Sequence, residues 1–474
     1  MLTAASRRSG RALPLQAARA LLVLTTLFLF AGRSPAAPPA SAPLPASAAT
    51  AAPSASAAAA EPAPVSGTGQ RIYERNRPLL LQVRTLLKTQ DSQASVGSGF
   101  LVSAEGHLIT NYHVVSQYAL QPKRYRLVYA TIDGKQGALQ LLAFDVLRDL
   151  ALLRPVDPAP LAGRGTVNLA PEADNIGRGA RIFSLGNPLD VGFAVAEGTY
   201  NGPVERSFIK TLFFGGSLSP GMSGGPALDE QGRLVGVNVA ARRDGEQVSF
   251  LVPAAPVRAL LARGREAKPI TEPAYPEITR QLLAHEADLT ERFLAQPWRD
   301  AGHPRYRIPV PQELWMRCWG RAPQVERGLQ FERSDCEMDS RVYVAGRLQT
   351  GYLTVRHETY DGSKLGTLRF AERYSSSFQN EFMGADDPTR TAPRCVERTI
   401  EREGLPLRAV ICVRAYKKLE GLHDLSVLVA TLDATQTGAQ GRLDAHGVSF
   451  ANAQRLAQHY LDGFAWIAPK NVSR

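Results

Sequence analysis

Ser223 lies within PGMSGGPAL (220–228), a setting suited to acyl transfer. Its glycines and prolines argue against a helix or a strand interior. They permit a tight bend with Ser223 on it and successive backbone N–H groups aimed at one point. A hydroxyl beside such donors can attack a carbonyl while the donors stabilise the oxyanion. The hydroxyl needs a base, and LITNYHVVS (108–116) offers His113. Imidazole titrates near neutrality, at about 6.5, so it can take the serine proton and return it. The base in turn needs an anion. AFDVLRDLALLRP (143–155) places Asp149 immediately before a solidly apolar run. A charge at the mouth of such a run is costly unless paired. Asp145 is the rival, further from that run. Singly, the serine run can be a plain turn and the histidine a hydrogen-bonded structural one. The signal is the order His, Asp, Ser within one β-rich region.

The elements that must hold these groups read as strands. LLLQVRTLL (79–87), GSGFLVS (97–103), GHLITN (106–111) and RYRLVYATI (124–132) precede a DG turn at 133–134 that leads into GALQLLAF (137–144). RIFSLG (181–186), FIKTLFF (208–214), RLVGVNVA (233–240) and QVSFLVP (247–253) follow, and APVRALLARG (255–264) reads as a closing helix. Many short strands at steady spacing indicate an all-β barrel or sandwich.

With these motifs in place, residues 71–260 resemble the trypsin-like (chymotrypsin-fold) serine endopeptidases, in their HtrA or Do-like branch. The matching stretches are GSGFLVSAEGHLITNYHVV, DVLRDLALLR, SLGNPLDVGFAVAEG, SPGMSGGPALDEQGRLVGVN and VSFLVP. The resemblance implies two six-stranded β-barrels with a triad between them. His113 would be the base, Asp149 its partner and Ser223 the nucleophile, with the N–H groups of Gly221 and Ser223 as the oxyanion hole. A Cβ at 221 or 224 would obstruct that turn. Six residues before the nucleophile, Ser217 would lie at the base of the primary pocket, with Phe250 at its edge. A neutral base and apolar edge imply small or medium aliphatic side chains rather than Lys or Arg. Met222 stands where the family usually has Asn, which implies altered packing rather than lost chemistry. No C-terminal PDZ domain is evident.

The 474 residues exceed one ordinary core. The net charge is +11, but five arginines lie in the first 37 residues, which hold no acid; the remaining 50 bases and 44 acids leave +6. No basic stripe interleaved with aromatics appears, which argues against nucleic acid as a partner. Residues 1–37 combine a basic start, the apolar run 20–32 and small residues near Ala37, the pattern of a signal peptide, with an uncleaved anchor as the alternative. No later segment is apolar enough to cross a membrane. The expected location is periplasmic or secreted. Residues 38–69 read as a disordered Ala/Pro/Ser linker, 70–265 as the peptidase domain and 270–474 as an α+β C-terminal domain.

All four cysteines lie in the last third of the chain. In an exported protein they imply disulfides. REGL (402–405) and VERGL (325–329) sit midway between near neighbours, as hairpin turns would, so the pairings 318–336 and 395–412 are favoured over free thiols or a zinc site. Residues 276–296 show helical spacing. Ser449 can cap a helix carrying Phe450, Leu456, Tyr460, Leu461 and Phe464 on one side, a stripe that more often packs on a sheet than binds a partner.

The expected function is an exported serine endopeptidase acting on unfolded or misfolded proteins, with no metal or organic cofactor. The alternative is a protease-like scaffold whose C-terminal domain holds a partner. Homo-oligomerisation is left open, as is the role of residues 270–474.

Overall fold

The computed structural model describes residues 65–467, apart from 242–246, 300, 313, 323–327, 381–382, 384–386 and 434. The signal segment, the linker up to 64 and most of the VERGL turn lie outside the described residues. The first element, α1 (Gly67–Asn76), begins inside the stretch read as linker, because Ser66 caps it by accepting a hydrogen bond from the Gly69 N–H.

Twelve strands follow, building two closed antiparallel barrels of six strands each. The first barrel contains β1 (Leu80–Leu87), β2 (Ser92–Leu101), β3 (Leu108–Thr110), β4 (Tyr125–Thr131), β5 (Gln136–Asp145) and β6 (Leu150–Pro155), joined in the order β1-β2-β3-β6-β5-β4. The second contains β7 (Arg181–Gly186), β8 (Ala194–Pro203), β9 (Leu212–Gly215), β10 (Pro226–Leu228), β11 (Leu234–Ala241) and β12 (Ser249–Pro253), joined as β10-β11-β12-β9-β8-β7. Closure leaves neither sheet with a free edge along its whole length. This is the chymotrypsin-like double barrel that the motifs imply. Helix α2 (Tyr112–Leu120) opens from the end of β3, and α3 (Ala254–Gly264) packs Val257 and Leu260 into the apolar cluster shared by the two barrels.

The C-terminal half is β-rich with few helices. Its strands are β13 (Tyr306–Arg307), β14 (Met316–Arg321), β15 (Gln330–Met338), β16 (Val342–Ala345), β17 (Leu348–Thr350), β18 (Tyr352–Asp361), β19 (Arg394–Arg402), β20 (Leu405–Ala415), β21 (Leu422–Thr431), β22 (Thr437–Ser449) and β23 (Ala465–Trp466). Seven form one antiparallel sheet, β14-β15-β18-β22-β21-β20-β19. Helices α4 (Tyr275–Leu294) and α6 (Phe450–Asp462) cover one face. Helix α5 (Thr367–Ser376) sets Phe370 and Tyr374 against Tyr360 and Ala430 on the other. In the α6 stripe, Leu456, Tyr460, Leu461 and Phe464 are buried and Phe450 is exposed, so the stripe chiefly packs the sheet.

Both disulfides form across directly paired residues, Cys318–Cys336 between β14 and β15 and Cys395–Cys412 between β19 and β20. The β19–β20 turn is Glu403-Gly404, both at positive φ, a two-residue hairpin suited to the right-handed strand twist.

The C-terminal half is packed into the first barrel. Val342 and Val344 of the β16–β17 hairpin, Ile278 and Leu282 of α4, and Leu419 and Leu422 share one apolar cluster with Leu81, Val83, Tyr112 and Val115. Residues from Ala63 onward form one compact unit. No helix among the described residues is long and apolar enough to cross a membrane.

Candidate active site

Helix α2 sets His113 one residue inside its first turn. The run 108–116 is thus a short strand followed by a helix; β-branched Val114 and Val115 disguise the helical part as strand. Asn111 stands at the N-cap with an extended backbone. Its side-chain amide donates to the Asp149 carbonyl at 2.8 Å, and the Tyr112 N–H donates to the same oxygen at 3.2 Å.

The Asp149 carboxylate is held as firmly as its carbonyl. One oxygen accepts the His113 N–H at 2.8 Å and the other lies 2.6 Å from His113 Nδ1. An ionised carboxylate only accepts, so the proton of this contact belongs to Nδ1 and the neutral ring keeps its lone pair on Nε2. Asp149 has φ 55, in the left-handed region that aspartate tolerates better than most residues. Burial pulls the His113 pKa down, but the charge of Asp149 and its hydrogen bond outweigh that effect and raise it above the ordinary value. Asp145 is otherwise engaged: it accepts from the Arg148 N–H at 3.1 Å and from the Arg148 guanidinium at 3.0 Å, within its own turn.

Ser223 sits between β9 and β10 on a bend packed against both barrels. A Cβ on Gly97 would touch both the Val114 side chain and the Ser223 carbonyl, so Ser223 and the residue after His113 meet at one point of β2. Gly221 has φ +93 and Gly224 has φ +86. An added Cβ would strike the Asn187 carbonyl at 221 and the Ser98 carbonyl at 224. The obstruction expected of a side chain at either position is therefore with neighbouring backbone. Buried Ser98 ties the bend down, donating from Oγ to the Gly221 carbonyl at 2.7 Å and accepting the Asn187 N–H at 2.9 Å. Asn238 donates to the carbonyls of Leu185 and Met222 at 3.0 and 3.2 Å. Met222 is itself buried. Neither the Gly221 N–H nor the Ser223 N–H has an acceptor among the described hydrogen bonds.

The Ser223 hydroxyl is not on His113. It donates to the Val239 carbonyl at 2.9 Å. Val239 is the bulged residue of β11, where the register with β12 shifts between Asn238 and Ala240.

Residues 97–237 match the family described as a trypsin-like peptidase domain. The chain is 30% identical over 188 residues to Protease Do-like 1, chloroplastic, of Arabidopsis thaliana, covering 36% of this chain and 40% of that protein. It is 32% identical to Protease Do-like 5, chloroplastic, of the same plant, over 33% of this chain and 53% of that protein. It is 27% identical to the probable periplasmic serine endoprotease DegP-like of Marinomonas sp. (strain MWYL1), over 35% of this chain and 34% of that protein. The double barrel is a trypsin-like peptidase domain of the HtrA branch. The chain spans about two fifths of the length of the first of these relatives.

Within this trypsin-like domain, the two residues grouped in one primary pocket separate. Ser217 is exposed, on the loop after β9. That loop is tied to β12 by Ser249, whose hydroxyl donates to the Gly216 carbonyl at 2.8 Å and accepts the Leu218 N–H at 3.2 Å. Successive side chains of a strand face opposite ways. Ser249 and Leu251 face the barrel interior, so Phe250 faces away from the Ser217 loop, alongside Val248 and Val252. Alternation along QVSFLVP carries this information.

The C-terminal half reaches the peptidase domain at several places. The Tyr112 hydroxyl donates to the Val344 carbonyl at 3.1 Å; burial drives this phenol's pKa well up, so it keeps its proton. The Tyr343 ring meets the His113 ring edge-on at a centroid distance of 6.3 Å, and its hydroxyl lies 3.4 Å from Ser116 Oγ. In α4, Gln281 accepts the Val146 N–H at 2.8 Å and donates to the Phe144 carbonyl at 3.0 Å, bracing the turn that carries Asp149. Residues 208–211, read as strand, instead reach this half: Phe208 stacks edge-on with His285 and Trp315, and Ser207 meets Ser340 at 2.9 Å.

Proposed function

We propose that the chain is a serine endopeptidase in which His113 is the general base, Asp149 orients it, and Ser223 is the nucleophile. The reading is carried by the doubly bonded His113–Asp149 pair, whose free Nε2 belongs to the helix packed beside the serine bend. On substrate binding the Ser223 hydroxyl leaves the Val239 carbonyl and turns to Nε2. Oγ bonds to the substrate carbonyl carbon as its proton passes to Nε2, and the N–H groups of Gly221 and Ser223 receive the oxyanion. The C–N bond then breaks, the amine takes the proton from Nε2, and water attacking the acyl-enzyme repeats the sequence.

Beyond the stretch where β10 pairs with β11, Val239–Ala241 has no strand partner on that side among the described residues, an edge that an extended peptide can join. A substrate amide placed there competes with the Ser223 hydroxyl for the Val239 carbonyl. Binding and activation of the nucleophile are thereby linked. Neutral Ser217 and Ser249 on the loop and strand beside the bend favour uncharged side chains over Lys and Arg. The substrates are unfolded or misfolded proteins, and the setting is periplasmic or secreted.

The placement of the hydroxyl on Val239 also supports a resting reading, in which the domain is latent until substrate or partner arrives. Comparing wild type with Ser223→Ala on an unfolded protein substrate separates these readings from the scaffold. Peptide release by wild type alone supports the peptidase. Equal inertness of both across pH, temperature and substrate conditions favours the scaffold.

A further inference from the structure

Strand β19 is the outer strand of the seven-stranded sheet and pairs with β20 alone among the described residues. Its outward N–H and C=O groups are open to a further strand, a liability that most sheets blunt. Beside this edge a groove of about 850 Å3 runs between β19–β20 and α6. Ile411, Val413, Leu425 and Leu461 line it, and exposed Val396 and Phe450 stand on its strand and helix sides. It shares no residue with the candidate active site.

Alternation along β19 sorts its side chains by charge. Arg394, Val396, Arg398 and Ile400 face the α6 side, where the first two line the groove and Ile400 joins the core. Cys395, Glu397, Thr399 and Glu401 face the other way. No acid lines the groove. Arg414 on its wall is held by buried Asp424 at 3.0 Å, and Arg402 by Asp462 at 2.9 Å. Glu397, on the far face, is held by Arg408 at 2.8 Å. Arg394 and Arg398 are exposed and have no ion pair among the described residues. Four residues of strand set them about 13 Å apart, on either side of Val396.

This pattern selects among occupants. Two copies of β19 joined antiparallel would continue the same face, arginines toward arginines and glutamates toward glutamates, which is destabilising. Joined in parallel, they would set the polar Glu397 face of one copy beside the apolar groove of the other and leave it unfilled. The chain's own termini lack the complementary charge: residues 1–64 hold one acid, Glu61, and residues 468–474 hold Lys470 and Arg474 and no acid.

We propose that β19 and this groove dock an extended segment of another protein by strand addition. Two acidic side chains four residues apart meet Arg394 and Arg398, and an apolar side chain between them lies against Val396 and the groove. Exposed ion pairs are individually weak, so the matched spacing of both acids, the apolar contact and the backbone ladder act together. The site is independent of the peptidase reading.

Fluorescence anisotropy with the full chain carrying Ser223→Ala tests this. The probe is a capped, labelled peptide, Leu-Thr-Glu-Thr-Leu-Thr-Glu, compared with versions carrying lysine or glutamine in place of glutamate. The glutamate peptide is expected to bind one to one, at least about tenfold tighter than the lysine peptide, with the glutamine peptide between. Arg394→Glu together with Arg398→Glu, at exposed positions where folding is not at risk, should reverse that order. An added strand turns alternate N–H groups toward its partner. N-methylating either the threonines or the other residues should therefore abolish binding in one case and spare it in the other. No binding, equal binding of the three peptides, or equal effects of the two methylation patterns would each overturn the proposal. So would an order unchanged in the double variant, which would place the peptide in the catalytic cleft. Loss of bound peptide as the chain's own concentration rises would put a second copy at the edge and also overturn it.

Discussion

Tyr343 provides a direct test of whether the C-terminal half helps to place the base. Its ring contacts His113 edge-on, its hydroxyl accepts the Gly346 N–H at 3.0 Å, and its neighbour Val344 anchors Tyr112. An edge-on aromatic pair contributes about 0.5–1.5 kcal/mol beyond area burial. The Ser116 contact, at 3.4 Å, is long and adds little. If about 1 kcal/mol restrains the imidazole, Tyr343→Ala should lower kcat about fivefold with little change in KM. Tyr343→Phe keeps the ring and loses only the hydroxyl contacts, so it should stay within about twofold of wild type. Initial rates on an unfolded protein substrate, well below the melting temperature, separate this from lost stability. A Tyr343→Ala variant with a lower Tm but wild-type kcat would refute the reasoning, as would a Phe variant as slow as the Ala variant.

The raised His113 pKa fixes a direction for the pH profile: kcat/KM should fall on the acid side with a midpoint above about 6.5. Asp149→Asn removes the charge that raises it, so the midpoint should drop, with kcat lower by about 10^4-fold in steady-state assays. Ser98→Ala strips a donor from the Gly221 carbonyl and an acceptor from the Asn187 N–H. It should cost about 1–3 kcal/mol in urea unfolding and lower kcat more than it changes KM, because the bend presenting the Gly221 N–H loosens. Replacing both Cys395 and Cys412 by Ala opens a loop spanning 17 positions and should lower unfolding free energy by about 3 kcal/mol, read from the shift of the denaturation midpoint.

Much of the site was legible because its chemistry depends on residue types in a fixed order. The order His113, Asp149, Ser223 and the glycines at 221 and 224 mark the groups that the barrels place at their junction, and Asp145 could be set aside for its distance from the apolar run. Local pattern also served the disulfides, since each pair flanks the centre of a hairpin. The resemblance put Ser217 and Phe250 in one pocket; the period of two along the strand, which was not applied, turns Phe250 away from the Ser217 loop. Helix α2 went unread because its β-branched Val114 and Val115 weaken the helical signal, and residues 208–211 were read as strand although the contacts of Phe208 with Trp315 and His285 override that propensity. Tyr343, Gln281 and Ser98 act through contacts 89 or more positions away in the chain, and no local signal announces such partners.

The shared cluster of Val342, Val344, Ile278 and Leu282 with Tyr112 and Val115 has a bearing on how this molecule can be dismantled. A chain cut after α3 would lay bare the flank of the helix that carries the imidazole. Such a fragment should be sticky and poorly ordered there, not a smaller working enzyme. Melting should accordingly proceed in one step, with the two halves lost together.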